Sequence, residues 1–555
     1  MTELLSERAL TRANFLDDYF TKRKKPIGPL HGLPISVKEH IGMEGLTLNA
    51  GYVSWFDKVA KEDAHILQIL WRAGAVFHAR TTEPQSMMHL ETDSNLYGIT
   101  VNPYNSHVTA GGSSGGEGAL IALRGSCLGI GSDVGGIFII SFHVYHGLIL
   151  IGSIRSPAAN NGLYGFKPTA FRIPTDGWGF IMAGADCVDT VIGPLSTSLS
   201  GIKVFMKTII DTKPWLVEPA LTPLPWDSSL KFSDFKPLKV AVLWHDDIVR
   251  PHPPVTNALR SVVSKLQNIP NVSIVDWKPH LHNEAWAIIS SLYFTDGGAE
   301  DSEAIESSGE PWRPLTEWII KENPCVKKLS IGELSYWLEE REAYRKEYAK
   351  VWNDTAVEHN PQTGELDGLV DVILCPVGPG VAPIHNTAKY WYYTSQWNLL
   401  NYPAVVFPVD KVDPQRDRKE DGYKPMTSLD RENWKLCKTH WQFIILYITA
   451  NTQQIIRRHL LVFQFHYSLL GEDTKMRRFS RFSNTCKKRL VCRSQTFHSS
   501  TYSPEHIENP SLPYTHIERK NPVKDIRMPT PDHFHPFHVS NAYYSTFLTF
   551  PVPTS

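Results

Sequence analysis

Residues Gly111-Gly112-Ser113-Ser114-Gly115-Gly116-Glu117-Gly118 run straight into Ala119-Leu120-Ile121-Ala122-Leu123, so a loop almost without side chains opens a helix. Glycine gives such a loop torsions closed to other residues and lets a ligand come close to the main chain. The helix start adds N–H donors that have no partner within the helix. A flexible linker would instead lie between domains, whereas this stretch lies between strand-like and helix-like segments. A phosphate loop would carry a Lys-Ser/Thr pair after its last glycine; here Ala119-Leu120 stands there.

Two further stretches narrow the reading. Upstream, Gly32-Leu33-Pro34-Ile35-Ser36-Val37-Lys38-Glu39 puts a lysine at the end of a short apolar run; downstream come Ser132-Asp133-Val134-Gly135-Gly136 and, displaced, Ser153-Ile154-Arg155-Ser156-Pro157-Ala158. With these three motifs in this order, the chain resembles the amidase signature family of amide hydrolases, and within it the acetamidase-like branch. The resemblance is strong from residue 27 to 180. It is traceable to residue 434, through Asn401-Tyr402-Pro403-Ala404-Val405-Val406-Phe407-Pro408.

The resemblance implies a hydrolase that cleaves the C–N bond of small monocarboxylic amides to carboxylate and ammonia through a serine acyl-enzyme. Ser153 would be the nucleophile, Ser113 the bridging serine and Lys38 the base, with Ser114 the second choice for the bridge. Amide hydrolysis needs these parts, because a serine hydroxyl is a weak nucleophile at neutral pH and the leaving amine must receive a proton. Lysine serves as a base only where burial keeps it neutral. The resemblance also implies a cis peptide before Ser113, substrate contact at Met87 and Ser113, and oxyanion donors at the N–H groups of Val134, Gly135, Gly136 and the nucleophile. Asp133 and Arg155 read as structural, holding the loop. No metal or organic cofactor is implied. The implied partner is a small amide, and the assembly question left open is a homodimer.

The formal charge of the 555-residue chain is -1, which argues against electrostatic binding of nucleic acid. Seven cysteines, at 127, 187, 325, 375, 437, 486 and 492, are odd in number and lack CxxC spacing, against both a disulfide framework and a structural zinc site. The first 25 residues hold no apolar h-region, and no run reaches the ~20 apolar residues of a spanning helix. A cytoplasmic, reduced protein is expected.

In chain order, residues 1–19 read as a helix on Leu4, Leu5, Leu10, Phe15 and Leu16. Asp63 reads as the cap of a helix that Gly74 ends. Strands are expected at 76–79, 238–244, 272–277, 369–376 and 404–408, and an amphipathic helix at 255–266. The expected class is α/β: a large mixed twisted β-sheet flanked by α-helices on both faces, with an irregular C-terminal tail. Residues 441–555 hold one glycine, Gly471, and two alanines, Ala450 and Ala542, too few turn residues for a packed domain, so disorder is expected from about residue 480. The division is therefore an amidase signature domain over 1–440, N-terminally truncated and interrupted at 137–152, and an atypical tail over 441–555. His533, His535 and His538 lack acidic or cysteine partners at ligand spacing and read as part of that tail. Trp391, Tyr392, Tyr393 and Trp397 read as core packing, with an aromatic wall for an acyl group as the alternative.

One departure affects the reaction. In the family the two glycines run directly into the nucleophile, whereas here Gly136 and Ser153 are separated by residues 137–152. Deleting those 16 residues restores Val-Gly-Gly-Ser-Ile-Arg, so the segment reads as a retained in-frame intron. If translated, it should displace the oxyanion donors from the nucleophile, and even ~1 Å of misplacement can cost about a hundredfold in rate. The alternatives to an active amidase are thus a catalytically defective protein of this fold or an amide transferase subunit of the same family. Ser141, within the segment, is a remote substitute nucleophile.

Overall fold

A computed structural model of the chain describes residues 1–133, 152–179, 181, 187–229, 237–437 and 443–449, the last as backbone alone. Its centre is an 11-stranded sheet. In chain order the strands are β1 (Glu3–Leu4), β2 (Pro34–Lys38), β3 (Val76–Thr81), β4 (Leu128–Asp133), β5 (Tyr164–Lys167), β6 (Val191–Ser196), β7 (Leu238–Val242), β8 (Val272–Asp276), β9 (Val372–Pro376), β10 (Ala404–Lys411) and β11 (Phe443–Thr449). Across the sheet the order is β1-β3-β2-β4-β6-β5-β10-β11-β9-β7-β8. β2 runs parallel to both β3 and β4, and β7 parallel to β8 and β9, whereas the middle of the sheet is antiparallel. Strands β4, β6 and β9 are buried at every residue. A strand without a wet face needs cover on both sides of the sheet, and helices supply it.

Every strand expected from the sequence is present, with ends shifted by a few residues. The helix expected over 1–19 forms as α1 (Ser6–Arg23). It starts late because Glu3 and Leu4 pair with Arg80 and Ala79 as an edge strand. Its apolar stripe meets the core only in part: Leu5 and Leu16 are buried, as is Arg12, while Leu4, Leu10 and Phe15 are exposed. The Arg12 guanidinium lies 4.0 Å from the Trp71 ring, so a planar cation covers an indole on the buried side of the helix.

Asp63 does not cap the next helix, α2 (His65–Arg72), whose N-cap is Ala64. The Asp63 carboxylate instead accepts from Glu44 N at 2.9 Å and pairs with Arg8 at 3.1 Å. Gly74 does end α2: at φ +100° it donates to Trp71 O at 3.0 Å, and Ala75 N bonds Leu70 O at 3.0 Å, a Schellman pair that satisfies the last carbonyls.

β11 pairs antiparallel with both β10 and β9. The sheet therefore extends beyond the composition change near residue 440, and the boundary drawn there cuts off one of its strands. Among the described residues, no helix is long and apolar enough to cross a membrane.

Candidate active site

Lys38 is the last residue of β2, inside the parallel part of the sheet. Ser132 and Asp133 end the neighbouring strand β4, whose register sets Val37 opposite Ile130. Side chains leaving the carboxyl ends of adjacent parallel strands converge in one crevice.

The glycine-rich loop crosses that crevice and starts helix α3 (Gly115–Ala122). A Cβ at Gly112 would lie 2.3 Å from His89 O, one at Gly115 2.3 Å from Thr92 Oγ1, and one at Gly116 2.5 Å from Thr82 N. These are contacts only glycine permits, so the loop is a packed element and no linker. Nor is it a phosphate cradle. The N–H groups at the helix start go to protein acceptors: Ser114 N to Ser153 O at 3.1 Å, Gly115 N to Thr92 Oγ1 at 3.0 Å and Gly116 N to Thr82 O at 3.3 Å. Glu117, in the first turn, accepts from Ser36 at 2.5 Å and Thr81 at 2.8 Å, and burial pushes its carboxyl up to about 7. The Gly112–Ser113 peptide is cis, as the resemblance implied.

This packing brings Lys38 Nζ to 2.5 Å from Ser113 Oγ, both residues fully buried. Burial lowers the lysine to about 7 against the opposing pull of Glu83, Asp133 and Glu117. A lysine so placed is half neutral near pH 7, the state in which it can accept a proton.

Ser153 is also buried, immediately before helix α4 (Arg155–Asn160). Its carbonyl receives the Ser114 N–H, so the nucleophile candidate abuts the serine pair. On either side, Gly152 N and Ile154 N donate to the Asp133 carboxylate at 3.0 and 3.4 Å. Arg155 Nε and Nη2 reach the same carboxylate at 2.8 and 3.0 Å, and Asn398 Nδ2 at 3.0 Å. Asp133 and Arg155 thus hold the loop. Burial alone would raise Asp133, but Arg155, Lys167 and Asn398 outweigh it and hold the carboxyl below its usual range. Asp133, ahead of the inserted segment, thus bonds both its last residue, Gly152, and Ile154 and Arg155 beyond it. Gly152 directly precedes Ser153: its φ is +66°, and a Cβ would meet the Thr394 Cβ at 2.8 Å.

The other expected site residues fall as follows. Val134, Gly135, Gly136 and Ser141 lie outside the described residues, as do His533, His535 and His538. Met87 is fully buried in the hydrophobic core, on a turn where both it and Ser86 have positive φ. It does not line the cavity of about 110 Å³ that opens beside α4, whose walls include Leu90, Ser156, His252, Val255, Tyr390 and Thr394. Trp391, Tyr393 and Trp397 are buried packing residues. Tyr392 stacks on Tyr390 at 4.6 Å and on Trp286 at 5.1 Å.

Two residues escaped the sequence reading. Ser132 Oγ lies 3.1 Å from Lys38 Nζ, and His40 Nε2 lies 2.9 Å from Ser132 Oγ. A serine inside a motif read for its glycines, and a histidine two residues past the lysine, carry no sequence signal of their own.

A sheet of this order, with a buried lysine against a serine pair and a glycine-rich helix start, defines an amide hydrolase of the amidase signature fold. The sequence model of the amidase family matches residues 1–425, and the chain belongs to that family. Among its relatives is a candidate amidase of Schizosaccharomyces pombe, 43% identical over 435 residues, 78% of this chain and 75% of that protein. Another is the acetamidase of Emericella nidulans, 34% identical over 77% of this chain and 74% of that one. Of solved structures, a fatty acid amide hydrolase matches with a TM-score of 0.75 at 31% identity, covering 85% of this chain and 79% of that one.

Proposed function

We propose that this chain hydrolyses small monocarboxylic amides, acetamide-like in size, to carboxylate and ammonia through a Lys38/Ser113/Ser153 triad. Neutral Lys38 accepts the Ser113 hydroxyl proton while Ser113 Oγ takes the proton of Ser153, whose oxygen attacks the amide carbon. The proton then returns along the same path to the leaving nitrogen, the C–N bond breaks, and water deacylates Ser153 by the reverse relay. The resemblance assigns the oxyanion to the main-chain N–H groups of Val134, Gly135, Gly136 and Ser153. The observation that carries this reading is the buried contact between Lys38 Nζ and Ser113 Oγ, with the lysine lowered to about 7.

The acetamidases among the relatives support hydrolysis over amide transfer, and support a small acyl group. Against a defective protein stand the bonds from Ile154 N and Arg155 Nε, beyond the inserted segment, to Asp133 ahead of it. The test is ammonia release from acetamide, propionamide and benzamide by the full chain, together with fluorophosphonate labelling and peptide mapping. Label on the Ser153 peptide and turnover abolished by Ser153→Ala are expected. Turnover indifferent to that substitution would refute the mechanism.

A further inference from the structure

The proton path above leaves one polar neighbour of Lys38 unused. A neutral amine has one lone pair, and two hydroxyls lie within reach of it: Ser113 at 2.5 Å and Ser132 at 3.1 Å. Whichever hydroxyl donates occupies the lone pair. Were Ser132 to donate, Lys38 would have nothing with which to accept from Ser113, and the relay would be blocked although every residue stood in place. Something must therefore set the direction of the Ser132 bond.

His40 is the group in position to do so. Its Nε2 lies 2.9 Å from Ser132 Oγ, its ring stacks on Trp178 at a centroid distance of 5.4 Å and 27°, and it is 1% exposed. A ring buried there beside Lys38 and Arg80 stays neutral, far below its ordinary value, so one ring nitrogen carries a proton and the other a lone pair. Nδ1 has no hydrogen-bond partner among the described residues and hence no donor from which to accept. The main chain beyond Trp178 is fixed against His40, Gly179 N donating to His40 O at 2.8 Å. As an ammonium Lys38 can only donate to Ser132 Oγ, at 3.1 Å, which leaves that hydroxyl's own proton for His40 Nε2 at 2.9 Å.

We propose that His40 is a positioning residue: by accepting the Ser132 hydroxyl proton at Nε2 it makes Ser132 an acceptor toward Lys38, which turns the lysine lone pair onto Ser113. The proposal rests on Lys38 being the base. It adds what that reading lacks, a reason for the lone pair to face the right serine.

Two measurements on the full chain test it, one of them independent of turnover. In protein carrying ¹⁵N-labelled histidine, two-bond proton–nitrogen correlations identify His40 as the signals lost in His40→Phe; a protonated Nδ1 with a pyridine-like Nε2 is expected. A protonated Nε2 would reverse the bond and overturn the proposal. In kinetics, His40→Phe keeps a ring against Trp178 but removes the acceptor, so kcat should fall about 10- to 100-fold while KM stays within about twofold. His40→Gln, whose Oε1 can accept, should recover most of the loss. Ser132→Ala removes the competing donor, so adding His40→Phe to it should slow the enzyme no further. Losses that multiply in the double variant, or a fully active His40→Phe, would overturn the proposal. A chain without amidase activity would refute the proposed function, and the tautomer would then decide the assignment of His40 by itself.

Discussion

Asp133 Oδ1 accepts the Gly152 N–H at 3.0 Å, joining positions 19 apart in the chain. The same carboxylate holds Ile154 N, two nitrogens of Arg155 and Asn398 Nδ2, so one fully buried charge fixes the backbone on both sides of Ser153. Arg155 is held in turn by Thr394 O at 2.9 Å and Asn398 Oδ1 at 2.5 Å. The pair therefore sets the position of the nucleophile candidate.

Removing one partner of this pair leaves the other charge buried and unpaired, which costs about 3–5 kcal/mol. Arg155→Met and Asp133→Ala should each lower the denaturant midpoint accordingly and abolish fluorophosphonate labelling. The carboxyl is held below its usual value in the fold, so its contribution is present above the unfolded carboxylate pKa, about 3.9, and is lost as pH falls through the folded value. Asp133→Ala should therefore flatten the acid limb of the stability curve. An unchanged limb would show that the pair is not the origin of that dependence.

Gly152→Ala combines a left-handed backbone with a methyl 2.8 Å from Thr394 Cβ. The torsion alone costs about 1–2 kcal/mol, and the contact must move either Thr394 or the nucleophile loop. Activity should fall about a hundredfold. Gly364→Ala is the control: φ is +71° and nothing lies within 4 Å, so it should lose stability through torsion alone and keep full activity.

The rate should titrate with Lys38. The amine is lowered to about 7, so the neutral form that accepts a proton predominates above that pH. kcat/KM should rise through pH 7 to a plateau and fall about tenfold per unit on the acid side. A profile flat between pH 5 and 9 would exclude a lysine base with this pKa.

The two adjacent serines should separate sharply. Ser113 contacts the lysine amine, whereas Ser114 Oγ, among the described residues, hydrogen-bonds the main chain of Ser132, at 3.3 and 3.4 Å. Ser113→Ala should lose at least about 10³-fold in kcat, of the order seen when one member of a catalytic unit is removed. Ser114→Ala should lose about tenfold or less. The reverse ranking would move the bridge to Ser114.

What could be read from the sequence was local or periodic. The glycine run, the apolar stretch ending in Lys38 and the paired small residues before Ile154-Arg155 follow from short-range backbone demands that every copy of such a site must meet. Strands such as Val76–Thr81, Leu238–Val242 and Val372–Pro376 were visible as apolar runs because they are buried on both faces, whereas Val272–Asp276 at the sheet edge is not. Capping at Asp63 and the stripe on α1 were misread because tertiary partners, Arg8 and Glu44 for the first and Trp71 beside Arg12 for the second, overrode local preference.

The sequence by itself determined the class of site, since a lysine and a serine pair among glycines leave few chemistries open. It could not determine whether a segment of 16 residues parts the site, because a loop's length does not fix the distance between its ends. The tertiary structure brings Asp133, ahead of the segment, within hydrogen-bond reach of Ile154 and Arg155 beyond it. The approach of His40 to Ser132 was decided the same way, since the two meet only when β2 and β4 pair.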